Sequence, residues 1–451
     1  MADIGIIGGA GYVGLITGVG FAALGHKVSS QDIDQERLEL LRTGQATFYE
    51  DGLEPILREL IDRNQIVFTD DQSATIREST VVFIAVSTPP ISSGAADLSE
   101  VISVAERLRD EIKKYTVVVV KSTVPVGTVN VIVDILSKKL KVGKDFDVVS
   151  NPEFLREGMG LIDFFAPARV IVGTTSERAS KVVHEIYAPL LDGRTIVEVP
   201  WLEPDRDIPY LETDPTSAQL IKYASNAFLA TRVSFINEIA GISEKVDGNI
   251  GEIVHGLGLD PRIGSGYLRP GIGFGGPCLD KDLRALITMA GESSYDPVLF
   301  NAVLRRNQLQ LLEVMNKITV ALGNSVNQKR IALLGLAFKE GTNDVRHSLS
   351  ISLYKALRDQ GSIVTGHDVL AVSEAQCLAP ELVASTDIDR VLAGTDVVVI
   401  LNAEPVYANI DWSALAGDND PSPYVIDTRG VLDIQALTSS GIRFDVLGSS
   451  N

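Results

Sequence analysis

Residues 4–25 restrict what this chain can become more than any other segment, because they carry no charge and include eight glycines. An uncharged run of that length is a membrane span, a secretion signal, or a strand and helix packed together. Glycine at this density suits neither of the first two, and no basic residue precedes the run. Within it, the apolar stretch 4–7 leads straight into Gly9-Ala10-Gly11-Tyr12-Val13-Gly14. Glycines there permit a tight turn and let a pyrophosphate approach the main chain at a helix N-terminus. Asp32 ends the next predicted strand, 21 residues after Gly11. A carboxylate at that place accepts hydrogen bonds from an adenosine ribose and repels a 2′-phosphate. Together these features point to a dinucleotide-binding unit that prefers NAD to NADP; the competing reading is a glycine-rich turn that only packs.

The rest of the first third continues in the same grammar. Short apolar runs over 27–31, 80–86, 116–121 and 147–149 read as strands, with amphipathic stretches over 98–113 and 126–140 between them. That alternation gives a parallel sheet covered by helices on both faces. Near Asp214 it stops. Asp214, Pro215, Thr216 and Ser217 supply cap and first-turn residues, and a helical pattern runs from about 218 to 245, with further helices to about 322. Strand-like runs resume over 330–335, 362–366, 396–401 and 424–427, with a helix over 350–360. The expected architecture is therefore two Rossmann-like α/β domains, 1–205 and 323–451, joined by an all-helical domain over 206–322. The Pro- and acid-rich stretch 199–213 reads as an exposed loop.

Composition narrows the partners. A formal net charge of −19 repels a phosphate backbone, so nucleic acid is not expected, and any phosphorylated ligand must be held by local cations and main-chain N–H groups. Two distant cysteines, Cys278 and Cys377, give no disulfide framework and suit a reducing, cytoplasmic setting. Five scattered histidines show no ligand spacing, so no metal is expected. The same acidity would also suit a high-salt habitat.

Five further motifs carry polar residues where chemistry is done. Lys121-Ser122-Thr123-Val124-Pro125 follows a predicted strand, at the edge where open α/β sheets bind ligands, although Ser and Thr also merely cap helices. Asn151-Pro152-Glu153-Phe154-Leu155-Arg156-Glu157 also follows a strand; alone it reads as a solvated acidic helix start. Lys222 and Asn226 stand four apart on the long helix and so share a face. A buried pair there needs partners, which a polar cleft would supply; the alternative is a stripe facing solvent. Gly271-Ile272-Gly273-Phe274-Gly275-Gly276-Pro277-Cys278 runs into a helical pattern with Lys281 and Asp282 in its first turn. A helix N-terminus and a nearby Lys lower a thiol pKa, which sets Cys278 against the commoner inert buried cysteine. Finally, Gly335-Leu336-Ala337-Phe338-Lys339 sits where a dinucleotide loop would but lacks the later glycines; it reads as a relic turn presenting Lys339 to an anion or, equally, as an ordinary strand-to-helix turn with a solvated Lys.

In this order, the glycine fingerprint and these five motifs resemble the UDP-glucose/GDP-mannose dehydrogenase family across almost the whole chain. The resemblance implies an NAD-binding domain, a central helical domain that dimerises, and a C-terminal domain holding a nucleotide sugar. It implies an enzyme that oxidises the sugar C6 alcohol to a carboxylate with two NAD. Cys278 matches the nucleophile that forms a thiohemiacetal and then a thioester. Lys222 matches the group that stabilises alkoxide charge, together with Asn226. Asp282 matches the base, acting through a water that Thr123 also holds, and Glu153 matches an acid/base carboxylate near the sugar. On the cofactor side, the match covers Gly9, Gly11, Tyr12, Val13, Gly14, Asp32, Arg37, Thr88, Pro89, Ser122, Thr123, Glu157, Lys281 and Arg346. On the substrate side it adds Phe154, Leu155 and Glu157. Arg262, Tyr267, Leu268, Arg269, Gly273, Phe274, Gly275, Phe338 and Lys339 complete that side, with Arg262 acting across a dimer interface.

The chain departs from the family pattern at Pro277 and Asp280 beside the thiol, at Gln219, at His347 and Leu349, and over 402–404. Asp280 adds a negative charge that would raise the thiol pKa. Lys121 through Pro125 favours UDP-glucose as substrate. GDP-mannose or another nucleotide sugar is the alternative, and a non-catalytic NAD or nucleotide-sugar sensor the alternative from another class.

Overall fold

The computed structural model describes residues 1–202, 206–418 and 422–449. The chain divides into two compact units, Met1–Ser225 and Asn226–Asn451.

In the first unit, eight strands form one sheet: β1 (Asp3–Ile7), β2 (Lys27–Gln31), β3 (Ile66–Thr69), β4 (Val81–Ile84), β5 (Thr116–Val120), β6 (Phe146–Ser150), β7 (Val170–Gly173) and β8 (Tyr210–Thr213). Their order is β3-β2-β1-β4-β5-β6-β7-β8. Neighbouring strands run parallel except β6 and β7, which are antiparallel. The alternation of side chains explains the burial: Val117 and Val119 enter the apolar core on one face, Val118 and Val120 the core on the other. The register matters most for function. Ile7 pairs with Gln31 and Ile84, Ile84 with Val120, and Val120 with Ser150. Those five residues form one row at the C-terminal edge, so the segments following them emerge side by side. They are the glycine fingerprint, Asp32, the 86–89 segment, the Lys121 motif and the Asn151 motif. Strand order reverses between β1 and β4, where such sheets bind their ligands.

The second unit contains the remainder of the long helix (Pro215–Lys245), then helices Ile250–Gly258, Leu279–Glu292 and Val298–Ala321. Six parallel strands follow: β9 (Arg330–Leu334), β10 (Ile363–His367), β11 (Val383–Ser385), β12 (Val397–Ile400), β13 (Tyr424–Asp427) and β14 (Phe444–Val446). Their order, β11-β10-β9-β12-β13-β14, repeats the arrangement of the first six strands of the chain. Val314 and Ile318 of the helix Val298–Ala321 pack into the same core as Ile331 and Leu333 of β9.

The expected strands appear within a residue or two, and the long helix starts where Asp214 accepts the N–H of Ser217 at 2.9 Å. One expectation needs correction. The stretch 199–213, read as a loop, ends in β8, which pairs with β7 at the sheet edge. Main-chain bonding places it there although none of its side chains is buried. Residues 203–205 of that stretch, including the proposed boundary at 205, lie outside the described residues. Among the described residues no helix is long and apolar enough to cross a membrane.

Candidate active site

The fingerprint turn is built for an anion. Gly11 occupies the cap of the helix Tyr12–Ala23 and, having no side chain, supplies no side-chain cap to its first-turn N–H groups. Gly8 and Gly9 each donate a main-chain N–H to Gln31 O, at 3.0 and 2.8 Å, which fixes the turn against β2. A Cβ on Gly14 would overlap Gly8 O, whereas one on Gly11 would meet only Gly8 O at 3.7 Å, an ordinary van der Waals contact. Asp32 accepts Ala10 N at 2.8 Å and Ile33 N at 2.8 Å, with its side chain half-exposed. A helix N-terminus without a side-chain cap and a carboxylate 21 residues on fit a dinucleotide. Tyr12 leaves the turn sideways. Its hydroxyl lies 2.9 Å from Glu50 Oε2 and 2.8 Å from Arg156 O, tying the fingerprint to the Asn151 motif. Burial is the main cause that raises the pKa of both Tyr12 and Glu50. Arg37 is exposed and pairs with Asp34 at 3.2 Å.

Two strands away, the polar residues of the edge bond to one another. Ser122 Oγ donates to Val86 O at 2.6 Å and Thr88 Oγ1 to Thr123 O at 2.8 Å, so the 86–89 and 121–128 segments brace each other beside Pro89. Lys222 and Glu153 form a buried ion pair, 3.0 Å from Nζ to Oε1, with 5% and 8% exposure. Glu153 Oε2 accepts Leu155 N, which curls the motif back. Phe154 lies under Arg169, whose guanidinium carbon is 3.6 Å from the ring centroid, with Lys222 Nζ at 5.4 Å. Glu157 is half-buried on the same segment. Lys222 therefore does not belong to a solvated stripe.

In the second unit, Cys278 is exposed, forms no disulfide, and caps the helix Leu279–Glu292. One turn on, Asp282 is 1% exposed and accepts Asn226 Nδ2 at 2.5 Å and Lys281 Nζ at 2.6 Å. Thiol and carboxylate thus stand on one face, and Asn226, 7% exposed, orients the carboxylate. Asp280 is matched by Arg284 at 2.6 Å, so its charge is locally compensated and its expected effect on the thiol is reduced.

The glycine loop is held by Asn307, which accepts Phe274 N at 2.8 Å and donates to Phe274 O at 2.9 Å. Gly273 and Gly276 take φ of +116° and +81°. A Cβ on Gly276 would strike the Phe338 ring and one on Gly275 would strike His347 O, so the turns after β9 lie directly against the loop. Lys339 follows Phe338, its Nζ 5.9 Å from that ring. Arg346 chelates Asp344, and Arg262, 86% exposed in its side chain, chelates Asp260 at the surface. Tyr267 takes a positive φ of 58°. Leu268 is 3% exposed and belongs to the helical core with Ile236 and Ile250, so only its main chain can meet a ligand.

Sequence reasoning missed Arg429. It follows β13, donates to Pro270 O at 3.2 Å, and has Arg269 and Glu340 as charged neighbours. Burial lowers its pKa. A cation two residues past a strand end was the available signal. Also unnoticed were Asp368 and Asp427. Asp368 accepts Leu336, Ala337, Leu370 and Ala371 N–H groups at 2.8–3.0 Å. Asp427 accepts those of residues 429–432. Among the described residues, no group of three or more His, Cys, Asp or Glu could hold a metal ion.

Residues 2–191 match the NAD binding domain of the UDP-glucose/GDP-mannose dehydrogenase family, 216–309 its central domain, and 332–434 its UDP binding domain. UDP-glucose 6-dehydrogenase TuaD of Bacillus subtilis is 36% identical over 449 residues, covering 99% of this chain and 93% of that protein. UDP-glucose 6-dehydrogenase YwqF of the same organism is 37% identical over 443 residues, covering 98% and 96%. Among solved structures, a UDP-glucose dehydrogenase from Pyrobaculum islandicum matches with a TM-score of 0.89 at 32% identity, covering 100% of this chain and 98% of that one. A UDP-D-ManNAc dehydrogenase from Pyrococcus horikoshii matches with a TM-score of 0.85 at 25% identity, covering 99% of each chain.

Proposed function

This chain belongs to the UDP-glucose/GDP-mannose dehydrogenase family, with that family's NAD-binding domain at its N-terminus, and from that membership we propose that it oxidises UDP-glucose to UDP-glucuronate. The observation that carries the reading is the exposed thiol of Cys278 at a helix N-terminus, one turn ahead of a buried Asp282 oriented by Asn226. A helix N-terminus favours the thiolate.

NAD, when bound at the fingerprint turn, is the hydride acceptor for both oxidations. Loss of a hydride and a proton from the C6 alcohol gives an aldehyde. The Cys278 sulfur adds to it, giving a thiohemiacetal that keeps the reactive carbonyl on the protein. Loss of a second hydride and proton leaves a thioester, and water releases the carboxylate and restores the thiol. Lys222 stabilises the negative charge that develops on the C6 oxygen, with Asn226 as a further donor. Asp282 takes protons through a water shared with Thr123, and Glu153 acts as acid/base near the sugar. Ser122, Glu157, Lys281 and Arg346 serve the cofactor. Arg262, Arg269 and Lys339 hold the diphosphate, with Phe338 and the Gly273–Gly275 loop closing on it. The domains are assigned as 1–205, 206–322 and 323–451. Phe228, Phe235 and Ile242, seven apart and 48–61% exposed on the long helix, support a homodimer through the helical domain. A cytoplasmic location is part of the same reading.

Incubation with NAD and a panel of nucleotide sugars tests this. Two NADH per UDP-glucose, with a uronate product, is the expected result, and Cys278→Ser should stall after partial oxidation. Turnover with another sugar alone would replace the substrate. One NADH with free aldehyde, or a fully active Cys278→Ser, would overturn the covalent route. Binding without any NADH would indicate a sensor.

A further inference from the structure

Lys121, which immediately follows β5, is 6% exposed. Its Nζ donates to Asn151 Oδ1 at 3.1 Å and to Tyr187 OH at 3.2 Å. Tyr187 OH in turn donates to Asn151 Oδ1 at 2.7 Å, and Asn151 Nδ2 to Ile171 O at 2.7 Å. Asn151 and Tyr187 are 1% and 3% exposed. Both acceptors are neutral. An ammonium sunk among neutral acceptors at the end of a strand of buried valines is costly, so a packing role alone explains it poorly.

The charges acting on it are those of the ion pair described above. Glu153 favours the Lys121 ammonium and Lys222 opposes it, while burial, the largest effect, lowers the pKa from 10.5 to about 8. The titratable groups facing Lys121 are Glu153 after β6, Tyr187 from the helix Glu177–Leu191, and Lys222 from the long helix. Tyr210 of β8 stands behind Tyr187, their ring centroids 6.4 Å apart. Burial raises the Tyr187 pKa, so that phenol stays neutral.

We propose that Lys121 is a positioning residue acting through Glu153: as a second cation beside that carboxylate, it leaves the Lys222 ammonium incompletely neutralised and able to stabilise charge on the substrate's C6 oxygen. With Lys121 protonated, two ammoniums and one carboxylate carry a net positive charge; with Lys121 neutral, they carry none. The inference rests on the role given to Lys222 above.

The test is steady-state kinetics of NADH formation from pH 6 to 10.5. The wild type should lose kcat along an alkaline limb. Lys121→Met should lower kcat at pH 7 roughly 10- to 100-fold, abolish that limb, and leave KM for sugar and NAD within about threefold. Lys121→Arg should restore most of kcat and keep it above the wild-type limb, because its charge persists. Should Lys121→Met fail to fold, Tyr187→Phe removes one acceptor while keeping the charge, and its limb should move to lower pH. A Lys121→Met enzyme with wild-type kcat and limb would overturn the proposal. So would a lowered melting temperature with the limb unmoved, or an unmoved limb in Tyr187→Phe. A wild-type protein that oxidises no nucleotide sugar would instead sink the functional reading beneath it.

Discussion

Replacing Lys121 by Met should make the protein more stable at neutral pH and less stable at high pH. The ammonium has a pKa of about 8 in the folded protein against an ordinary 10.5. At 1.36 kcal/mol per unit, that difference opposes folding by roughly 3 kcal/mol. Between the two values the folded protein binds fewer protons than the unfolded chain. The penalty is therefore complete below about pH 8 and is relieved as the pH climbs toward 10.5. Methionine has similar length and no charge to desolvate. After the exchange Asn151 Oδ1 still accepts Tyr187 OH, so no buried acceptor is orphaned. The two lost hydrogen bonds cost about 1 kcal/mol each. The variant should then gain about 1 kcal/mol at pH 7 and lose about 2 kcal/mol at pH 10.5, with the sign changing between. Urea unfolding of both proteins across that range, followed by fluorescence of the tryptophans, of which Trp201 packs on the core of the first unit, measures the difference. A difference that does not vary with pH, or a wild type that weakens relative to the variant as pH rises, would refute the electrostatic account. A gain in stability alongside a fall in kcat is the trade expected where a site holds charge at the expense of folding.

The two fingerprint glycines should separate folding from binding. Gly11→Ala, whose Cβ meets only an ordinary contact with Gly8 O at 3.7 Å, should fold normally but weaken NAD binding about 100-fold by calorimetry, whereas Gly14→Ala should also lower the melting temperature, because its methyl overlaps Gly8 O. Equal stability of the two variants would contradict the packing described. Asn307→Ala removes both hydrogen bonds to Phe274 and should raise KM for the sugar nucleotide about tenfold without changing NAD affinity. An unchanged KM would remove the loop from substrate binding.

What could be read from the sequence follows from which interactions are local. β4 and β5 are buried on both faces, so each is a continuous apolar run, Val81–Ile84 and Thr116–Val120, and was foreseeable. The unforeseen strands are short and mostly at or near sheet edges: Ile66–Thr69, Val170–Gly173, Tyr210–Thr213, Val383–Ser385 and Phe444–Val446. Main-chain pairing with a neighbour places them, and no long apolar run betrays that. The same division holds at the candidate site. Cys278, Asp282, Lys222 and Asn226 stand out through spacing along one helix or another. The partners that give Lys121 its character come from 30 and 66 residues away, and nothing local joins them. Asp280 looked like a burden on the thiol until Arg284, one turn further along the helix, was seen to meet it.

The second sheet repeats the order of the first six strands of the chain, yet the two differ in one carboxylate. Asp32 stays half-exposed at the end of β2, whereas Asp368, the residue after β10, has no exposed surface and fills the turn after β9 from within. An acid so enclosed has no lone pair to offer a ribose, and the N–H groups that donate to it have no hydrogen left to donate to a phosphate. The second sheet is thus a nucleotide fold whose usual socket is stoppered by its own side chain. Any nucleotide held at this sheet must be gripped by the loops around the stopper.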